Sequence, residues 1–258
     1  MKVILFCGGL GLRIRDYSPR TPKALVPIGR HPLLWHLMRY YAHYGHTEFI
    51  LCLGHNADAF RRYFFRSDVQ RATEAADLNI TLVDTGLTNN IGQRLAAVKR
   101  YVQDDEVFMV NYADVLSDLP LPAMLTNFHR QGPVACFMAY QPTQSFHVVS
   151  LGADNHVKSI SPIASAGLWV NAGFMVLRPE IFDYLRPGEE LVEQPFQRLI
   201  VDNKLMAYRY NGFWASMDTL KDKLALDELH SQGCPPWEVW RHAAAPAAHS
   251  TPVLQTVC

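Results

Sequence analysis

The sequence lacks the features that mark several large classes of protein. It has five cysteines (7, 52, 136, 234 and 258), and no two of them form a C-x-x-C pair. Scattered cysteines argue against a disulfide framework or a zinc site and are typical of reduced thiols in a cytoplasmic protein. No segment approaches ~18 uninterrupted apolar residues, so we expect no membrane span. The apolar run near the N-terminus, about five residues long, is too short for a signal peptide.

A surplus of positive charge is also missing. Lysine plus arginine and aspartate plus glutamate number 24 each, which gives a net charge of zero. A protein that binds a duplex usually carries a basic surplus, so we expect no nucleic-acid partner. With 258 residues, 49% apolar and 19% charged, the chain has the composition of an ordinary globular protein and is long enough for one large α/β domain.

What is present is an alternation of strand and helix patterns. A buried strand over Lys2–Cys7 is followed by further strands and helices, predicted as helix 32–44, strand 47–53, helix 57–66, strand 79–84, helix 93–102 and strand 107–112. This alternation predicts an α/β fold with a doubly wound, mostly parallel, Rossmann-like sheet. The β-rich segments 134–140, 147–151, 156–160 and 169–177 predict an added mixed or antiparallel section. We expect a final helix at 219–232, one domain over 1–240 and a disordered tail over 241–258.

A glycine-rich loop follows the first strand and reads Gly8-Gly9-Leu10-Gly11-Leu12-Arg13. Ligands of parallel sheets lie beyond the carboxyl ends of the strands, and glycines let the backbone approach a polyphosphate. The loop matches neither the P-loop pattern nor the complete dinucleotide fingerprint. A purely structural turn remains the alternative, although Arg13 and the later Lys23 both favour phosphate binding.

Two aspartates stand where a metal could bind. Asp114 directly follows the strand at 107–112, and Asp218 directly precedes the last helix. Two carboxylates together with substrate phosphates are the usual oxygen ligands of Mg²⁺. Asp218 could instead be only the N-cap of that helix, and Asp118 is interpreted as part of a turn and cap.

Several motifs together resemble the sugar-nucleotide pyrophosphorylases, and among them most closely the glucose-1-phosphate cytidylyltransferases. The motifs begin with the glycine loop and continue through Pro22-Lys23, Val26-Pro27-Ile28-Gly29, Pro32-Leu33-Leu34-Trp35-His36, Thr85-Gly86, Gly92-Gln93-Arg94, Tyr112-Ala113-Asp114, Asn171-Ala172-Gly173, Met217-Asp218-Thr219 and Pro236-Trp237. They extend to about residue 240. The resemblance implies a GT-A-like nucleotidyltransferase that transfers CMP from CTP to a small phosphate monoester such as glucose 1-phosphate and releases pyrophosphate.

The resemblance also implies roles for individual residues. Arg13 would contact the leaving pyrophosphate and Lys23 the α-phosphate, while Asp114 and Asp218 would hold Mg²⁺. The implied nucleotide-binding residues are Gly8, Gly9, Gly11, Arg13, Lys23, Thr85, Gly92, Gln93 and Arg94, and those for the acceptor are Asn171, Glu193 and Lys158. An acceptor phosphate is already anionic at neutral pH, so no general base is expected.

The sequence departs from the family pattern at two places. Leu12 replaces a hydroxyl residue before Arg13, and Ser161-Pro162-Ile163 stands where the family has Glu-Lys-Pro. A non-sugar acceptor, such as a phosphorylated amino acid or polyol, is therefore an alternative, as is a nucleotide-binding protein without activity. A nicotinamide enzyme is disfavoured, since the ribose-binding acid is absent. Aromatic residues between Trp35 and Tyr44 could face another copy in a homo-oligomer, and core packing would explain them equally well.

Overall fold

Strands and helices alternate through the first half of the chain. The computed structural model describes residues 1–9, 21–143 and 146–242. The elements up to residue 131 are β1 (Val3–Phe6), β2 (Pro27–Ile28), β3 (His31–Pro32), α1 (Leu33–His43), β4 (Glu48–Leu53), α2 (Ala57–Phe64), α3 (Ser67–Ala75), β5 (Asn79–Asp84), α4 (Ile91–Ala97), β6 (Phe108–Asn111), β7 (Val115–Ser117) and α5 (Leu121–Gln131). Short 3₁₀ helices lie at Lys23–Leu25 and Lys99–Tyr101.

The second half contains more strand, as its sequence predicts. Its elements are β8 (Ala135–Tyr140), β9 (His147–Leu151), β10 (Val157–Pro162), β11 (Val170–Leu177), α6 (Ile181–Tyr184), α7 (Gln194–Val201), β12 (Leu205–Tyr210), β13 (Trp214–Ser216), α8 (Leu220–Ser231) and α9 (Val239–His242). A third 3₁₀ helix, Ile163–Ser165, follows β10.

Seven strands form the central sheet in the order β12-β8-β11-β6-β1-β4-β5. β1 pairs in parallel with β4 and β6, β4 with β5, and β8 with β12. β11 alone runs antiparallel to its neighbours β6 and β8. The predicted α/β class with a mostly parallel sheet is therefore confirmed.

Both faces of the sheet are buried, which explains the apolar first strand. Val3 and Leu5 belong to one core cluster with α1, whereas Ile4 and Phe6 belong to a second cluster on the opposite face. Successive side chains of a strand point to opposite faces, so a strand covered on both sides is apolar at every position. The sheet is thus doubly wound, and its carboxyl edge lies beyond Phe6, Leu53 and Asn111.

Three details differ from the sequence predictions. β8 and β11, expected in an added section, join the main sheet, and only β9 with β10 forms a separate hairpin. The helix predicted at 57–66 is α2, which ends at Phe64, and the unpredicted helix α3 follows it because the backbone is extended at Arg66. Helix α4 begins at Ile91, two residues earlier than predicted, because Asn90 and Gln93 form a capping box.

Within the described residues, no helix combines the length and apolar character needed to cross a membrane. Of the disordered tail predicted over 241–258, residues 241 and 242 belong to α9, and the part from residue 243 lies outside the described residues.

Candidate active site

One lysine and two aspartates meet beyond the carboxyl edge of the sheet. The Nζ atom of Lys23 lies 2.7 Å from Oδ2 of Asp114 and 2.7 Å from Oδ1 of Asp218. Lys23 begins the 3₁₀ helix after the glycine loop, so three distant segments of the chain supply the group. All three residues were predicted to be catalytic, and the fold brings them together.

A short antiparallel ribbon explains why the two aspartates are neighbours. β7 pairs with β13, with Val115 opposite Ser216, and the amide of Met217 donates to the carbonyl oxygen of Asp114 at 3.0 Å. Asp114 immediately precedes one strand of the ribbon, and Asp218 follows the other. The register of the ribbon therefore fixes the spacing of the two carboxylates.

The turn before Asp114 has an unusual backbone. Ala113 has φ +60°, a left-handed conformation that costs an L-residue with a Cβ roughly 1–2 kcal/mol. The Oδ1 atom of buried Asn111 accepts a hydrogen bond from the Ala113 amide at 2.9 Å, and Asn111 Nδ2 donates to Tyr41 Oη at 3.3 Å. Asn111 thereby holds the turn that directs Asp114 towards Lys23.

Asp218 is not the N-cap of α8, the helix that follows it. Thr219 is the N-cap of α8, with its hydroxyl accepting from the amide of Asp222 in a capping box. The Asp222 carboxylate in turn accepts from the amide of Asp218 at 3.0 Å. The alternative in which Asp218 serves only as a cap is therefore wrong, and its carboxylate faces Lys23 instead.

The electrostatics of Lys23, Asp114 and Asp218 depend on their burial and on the charges of one another. Burial raises the pKa of Asp114 above its usual value, and the nearby Asp218 carboxylate acts in the same direction, while Lys23 opposes both. Two carboxylates at this spacing need a cation between them, and here the ammonium of Lys23 supplies it. The same oxygen pair, converging on one point, suits a hard divalent cation such as Mg²⁺.

A small cavity adjoins this group. Its walls are formed by Phe6, Cys7, Gly9, Lys23, Ala24, Tyr112, Ala113 and Asp114. Gly9, one of the predicted nucleotide-binding glycines, therefore lies beside Lys23 and Asp114. Arg13 and Gly11 were predicted to bind the nucleotide as well, and both lie outside the described residues.

Arg94, predicted to bind the nucleotide, is buried and bonded to the protein itself. Its Nη1 donates to Leu53 O at 3.0 Å, Thr85 Oγ1 at 2.8 Å and Gly86 O at 3.0 Å, and its Nη2 donates to Gly8 O at 3.0 Å. A Cβ on Gly8 would lie 2.2 Å from the guanidinium, so only glycine fits there. Arg94 thus connects the ends of β1, β4 and β5.

Other predicted nucleotide residues also have internal contacts. The buried Thr85 hydroxyl donates to Leu53 O at 2.7 Å while it accepts from Arg94. The side-chain oxygen of Gln93 accepts from the Asn90 amide at 3.0 Å, and a Cβ on Gly92 would lie 2.2 Å from Glu189 O. These contacts are internal to the protein, and direct contact of Thr85, Gly92 and Gln93 with a nucleotide stays a prediction.

The three predicted acceptor residues lie on different elements. Asn171 is the second residue of β11 and donates from Nδ2 to Tyr112 Oη at 3.0 Å, so it reaches the wall of the cavity. Glu193 is exposed at the start of α7, and Lys158 is exposed on β10. Only Asn171 touches a residue that lines the cavity.

Two residues with a local role were not recognised from sequence. Asn111 follows an apolar strand without any motif of its own, so nothing in its spacing signalled the turn it holds. Asp118, interpreted as a cap, instead accepts from the Phe213 amide at 2.7 Å and from the Tyr210 hydroxyl. It therefore ties the connection between β12 and β13 to β7, and with it the ribbon that positions Asp218.

Comparison with known proteins finds relatives that match most of the chain. The family model described as nucleotidyl transferase matches residues 2–222. Glucose-1-phosphate cytidylyltransferase from Salmonella typhimurium is 35% identical, with 93% of this chain and 100% of the relative covered. The probable glucose-1-phosphate cytidylyltransferase of Bacillus subtilis is 32% identical over the same shares of the two chains.

Solved structures resemble the fold. A putative glucose-1-phosphate thymidylyltransferase from Bacillus anthracis superposes with a TM-score of 0.70 at 19% identity, covering 89% of this chain and 94% of that chain. A UDP-glucose pyrophosphorylase superposes with a TM-score of 0.69 at 17% identity, covering 90% and 98%. At these identities the likeness concerns the fold alone.

Proposed function

This chain belongs to the nucleotidyl transferase family, and from that membership we propose that it transfers CMP from CTP to a sugar 1-phosphate such as glucose 1-phosphate. The observation that carries the proposal is the convergence of Lys23, Asp114 and Asp218 at the carboxyl edge of the sheet. The two cytidylyltransferase relatives, aligned over 93% of the chain, support the choice of CTP and of a sugar phosphate.

The reaction is an in-line displacement at phosphorus. An oxygen of the acceptor phosphate attacks the α-phosphorus of CTP. The bond between the α-phosphorus and the oxygen that bridges it to the β-phosphate breaks, and pyrophosphate leaves. The acceptor is an anion at neutral pH, because a phosphate monoester has its second pKa near ~6. The protein therefore needs to position two anions and neutralise their charge rather than remove a proton.

Charge neutralisation falls to the basic residues and the carboxylate pair. Lys23, with its ammonium at the cavity wall, contacts the α-phosphate, and Arg13 contacts the leaving pyrophosphate. Nucleotidyl transfer in this family generally uses a divalent metal, and we propose Mg²⁺, held by Asp114 and Asp218. When bound there, the ion lowers the negative charge of the reacting phosphates.

The nucleotide end of the site is supported better than the acceptor end. Asn171 is held against the cavity wall by Tyr112, which suits a hydrogen bond to a hydroxyl group of the acceptor. The uncharged Ser161-Pro162-Ile163 ends β10 and enters a 3₁₀ helix. The acceptor phosphate therefore needs another cation, and Lys158, three residues before Ser161, is our candidate.

A substrate panel tests the proposal. The full chain is incubated with Mg²⁺, each of the four nucleoside triphosphates, and glucose 1-phosphate, other sugar 1-phosphates, a phosphorylated polyol or a phosphorylated amino acid. We expect pyrophosphate release with CTP and a sugar 1-phosphate at least tenfold faster than with any other pair. Faster release with a non-sugar monoester would make that monoester the acceptor in place of the sugar phosphate. Tight CTP binding without turnover would indicate a nucleotide-binding protein without activity.

A further inference from the structure

A second group of ligand-type side chains lies outside the proposed active site. It consists of His36 on α1, His230 in the last turn of α8 and Glu238 just before α9. One nitrogen of each histidine and one carboxylate oxygen all lie within 4.8 Å of one another. His36 and Glu238 are buried, and the His230 side chain is 24% exposed. None of the three has a part in nucleotidyl transfer as proposed above.

The hydrogen bonds of His36 fix where its lone pair points. Its Nε2 atom lies 3.1 Å from the carbonyl oxygen of Ile28, which can only accept, so Nε2 carries the hydrogen. In the neutral ring Nδ1 then has a lone pair, and it lies 3.4 Å from Oε1 of Glu238. Nδ1 also lies 3.3 Å from the indole Nε1 of Trp237, a long contact, and a cation between Nδ1 and Oε1 would stabilise both lone-pair atoms in the interior.

His230 adds a third ligand atom to the same point. Its Nε2 lies 3.8 Å from Oε1 of Glu238. The ring packs over Gly29, where a Cβ would lie 2.2 Å from Cε1 of His230, and Gly29 has φ +60°. Glycine at this hairpin position therefore lets the imidazole approach Glu238.

The two carboxylate oxygens of Glu238 face different groups. Its Oε2 lies 2.6 Å from Nε of Arg241, which leaves Oε1 facing the two histidines. A charged carboxylate oxygen and two imidazole nitrogens form the set that borderline transition metals prefer.

We propose that His36 Nδ1, His230 Nε2 and Glu238 Oε1 bind one divalent transition metal ion of the Zn²⁺ class. In a tetrahedral zinc site with bonds near 2.0–2.1 Å, ligand atoms lie about 3.4 Å apart. The two histidine–glutamate separations are 3.4 Å and 3.8 Å, and all three ligand atoms lie within 4.8 Å of one another, so metal binding would draw the His230 ring towards His36 and Glu238. The nitrogen ligands distinguish this site from the oxygen-only pair Asp114 and Asp218.

Binding also changes the surroundings of a tryptophan. The indole Nε1 of fully buried Trp237 lies 3.3 Å from Nδ1 of His36, and a metal at Nδ1 replaces this long contact. Because the ligands come from α1, α8 and the segment before α9, the ion would fasten the C-terminal segment to the body of the fold. The fluorescence of Trp237 and thermal stability are therefore two readouts independent of catalysis.

The test uses untagged full-length protein stripped with a chelator and kept in excess Mg²⁺, so that the aspartate pair is occupied. Zn²⁺ is measured by elemental analysis after desalting, and Co²⁺ is titrated while its visible absorption and tryptophan quenching are recorded. The variants are His230→Gln and Glu238→Gln. The matched controls are His43→Gln, an exposed histidine of α1, and Cys234→Ser, an exposed thiol.

We expect about one equivalent of Zn²⁺, the intense visible bands of tetrahedral Co²⁺, and affinity at least tenfold weaker in both ligand variants. His43→Gln, Cys234→Ser and Asp114→Asn should bind as the unmodified chain does. Less than a tenth of an equivalent of Zn²⁺ in the unmodified chain would overturn the proposal, and so would unchanged affinity in His230→Gln. A proton shared by His36 and Glu238 would then be the positive centre.

Discussion

Replacing Arg94 by lysine separates two roles for this residue, structural and nucleotide-binding. The guanidinium makes four hydrogen bonds to neutral acceptors of three strand ends, all between 2.8 and 3.0 Å. A lysine ammonium keeps the charge but, as a single point on a flexible stem, can satisfy only one or two of those acceptors. With two or three bonds lost at about 1.5–3 kcal/mol each, Arg94→Lys should lower the free energy of unfolding by at least about 3 kcal/mol.

The assay is urea denaturation at 25 °C without nucleotide, followed by CTP binding under native conditions. Arg100→Lys is the matched control, because Arg100 is exposed and bonds only to the Tyr101 hydroxyl, and it should change stability by less than about 0.5 kcal/mol. Gly8→Ala should reproduce part of the loss, since its methyl group would collide with the guanidinium. If Arg94→Lys were as stable as the unmodified chain yet bound CTP more than tenfold more weakly, the structural role would be refuted.

Two further predictions concern the turn before Asp114 and a half-buried histidine. Asn111→Ala removes the hydrogen bond that holds the left-handed Ala113, so half-maximal activity should need several-fold more Mg²⁺. Ala113→Gly should leave the Mg²⁺ requirement unchanged, because glycine adopts φ +60° freely. Equal Mg²⁺ requirements in both variants would contradict this role of Asn111. Burial, with a smaller contribution from the N-terminal charge, lowers the pKa of His46 to about 4, so the unfolded chain binds a proton there between pH 6.5 and 4 and stability falls as pH falls. His46→Gln should remove part of that pH dependence, no more than about 2 kcal/mol for this partly exposed ring. An equal change in the free energy of unfolding between pH 7 and 4.5 in both proteins, measured by urea denaturation, would refute this prediction.

The sequence predicted the elements that carry strong local signals. The apolar strand Val3–Phe6 and the strand that ends at Asn111 were clear because both faces of the sheet are buried. Since carboxyl ends of parallel strands share an edge, Lys23 and Asp114 could be expected together from pattern alone. The motif around Asp218 supplied the third member.

The remaining details depend on registers and contacts that a sequence does not display. The pairing of Val115 with Ser216 decides that Asp218 faces Lys23 while Thr219 becomes the cap. An arginine at position 94 suits a phosphate or a set of carbonyl oxygens equally well, and the choice depends on three strand ends closing around it. The group formed by His36, His230 and Glu238 is assembled from three segments without a common spacing.

The proposed activity is tested by the formation of a CDP-sugar by the full chain and by the loss of this product in Asp114→Asn. CTP labelled at the α-phosphate is incubated with glucose 1-phosphate and Mg²⁺, and the labelled product is separated and quantified. We predict that the label moves to CDP-glucose with equimolar pyrophosphate. We also predict that Asp114→Asn, which keeps its shape but loses the charge beside Lys23, is slower by about 10²-fold or more with an unchanged circular dichroism spectrum. No labelled sugar from any sugar 1-phosphate, or full activity in Asp114→Asn, would contradict the account.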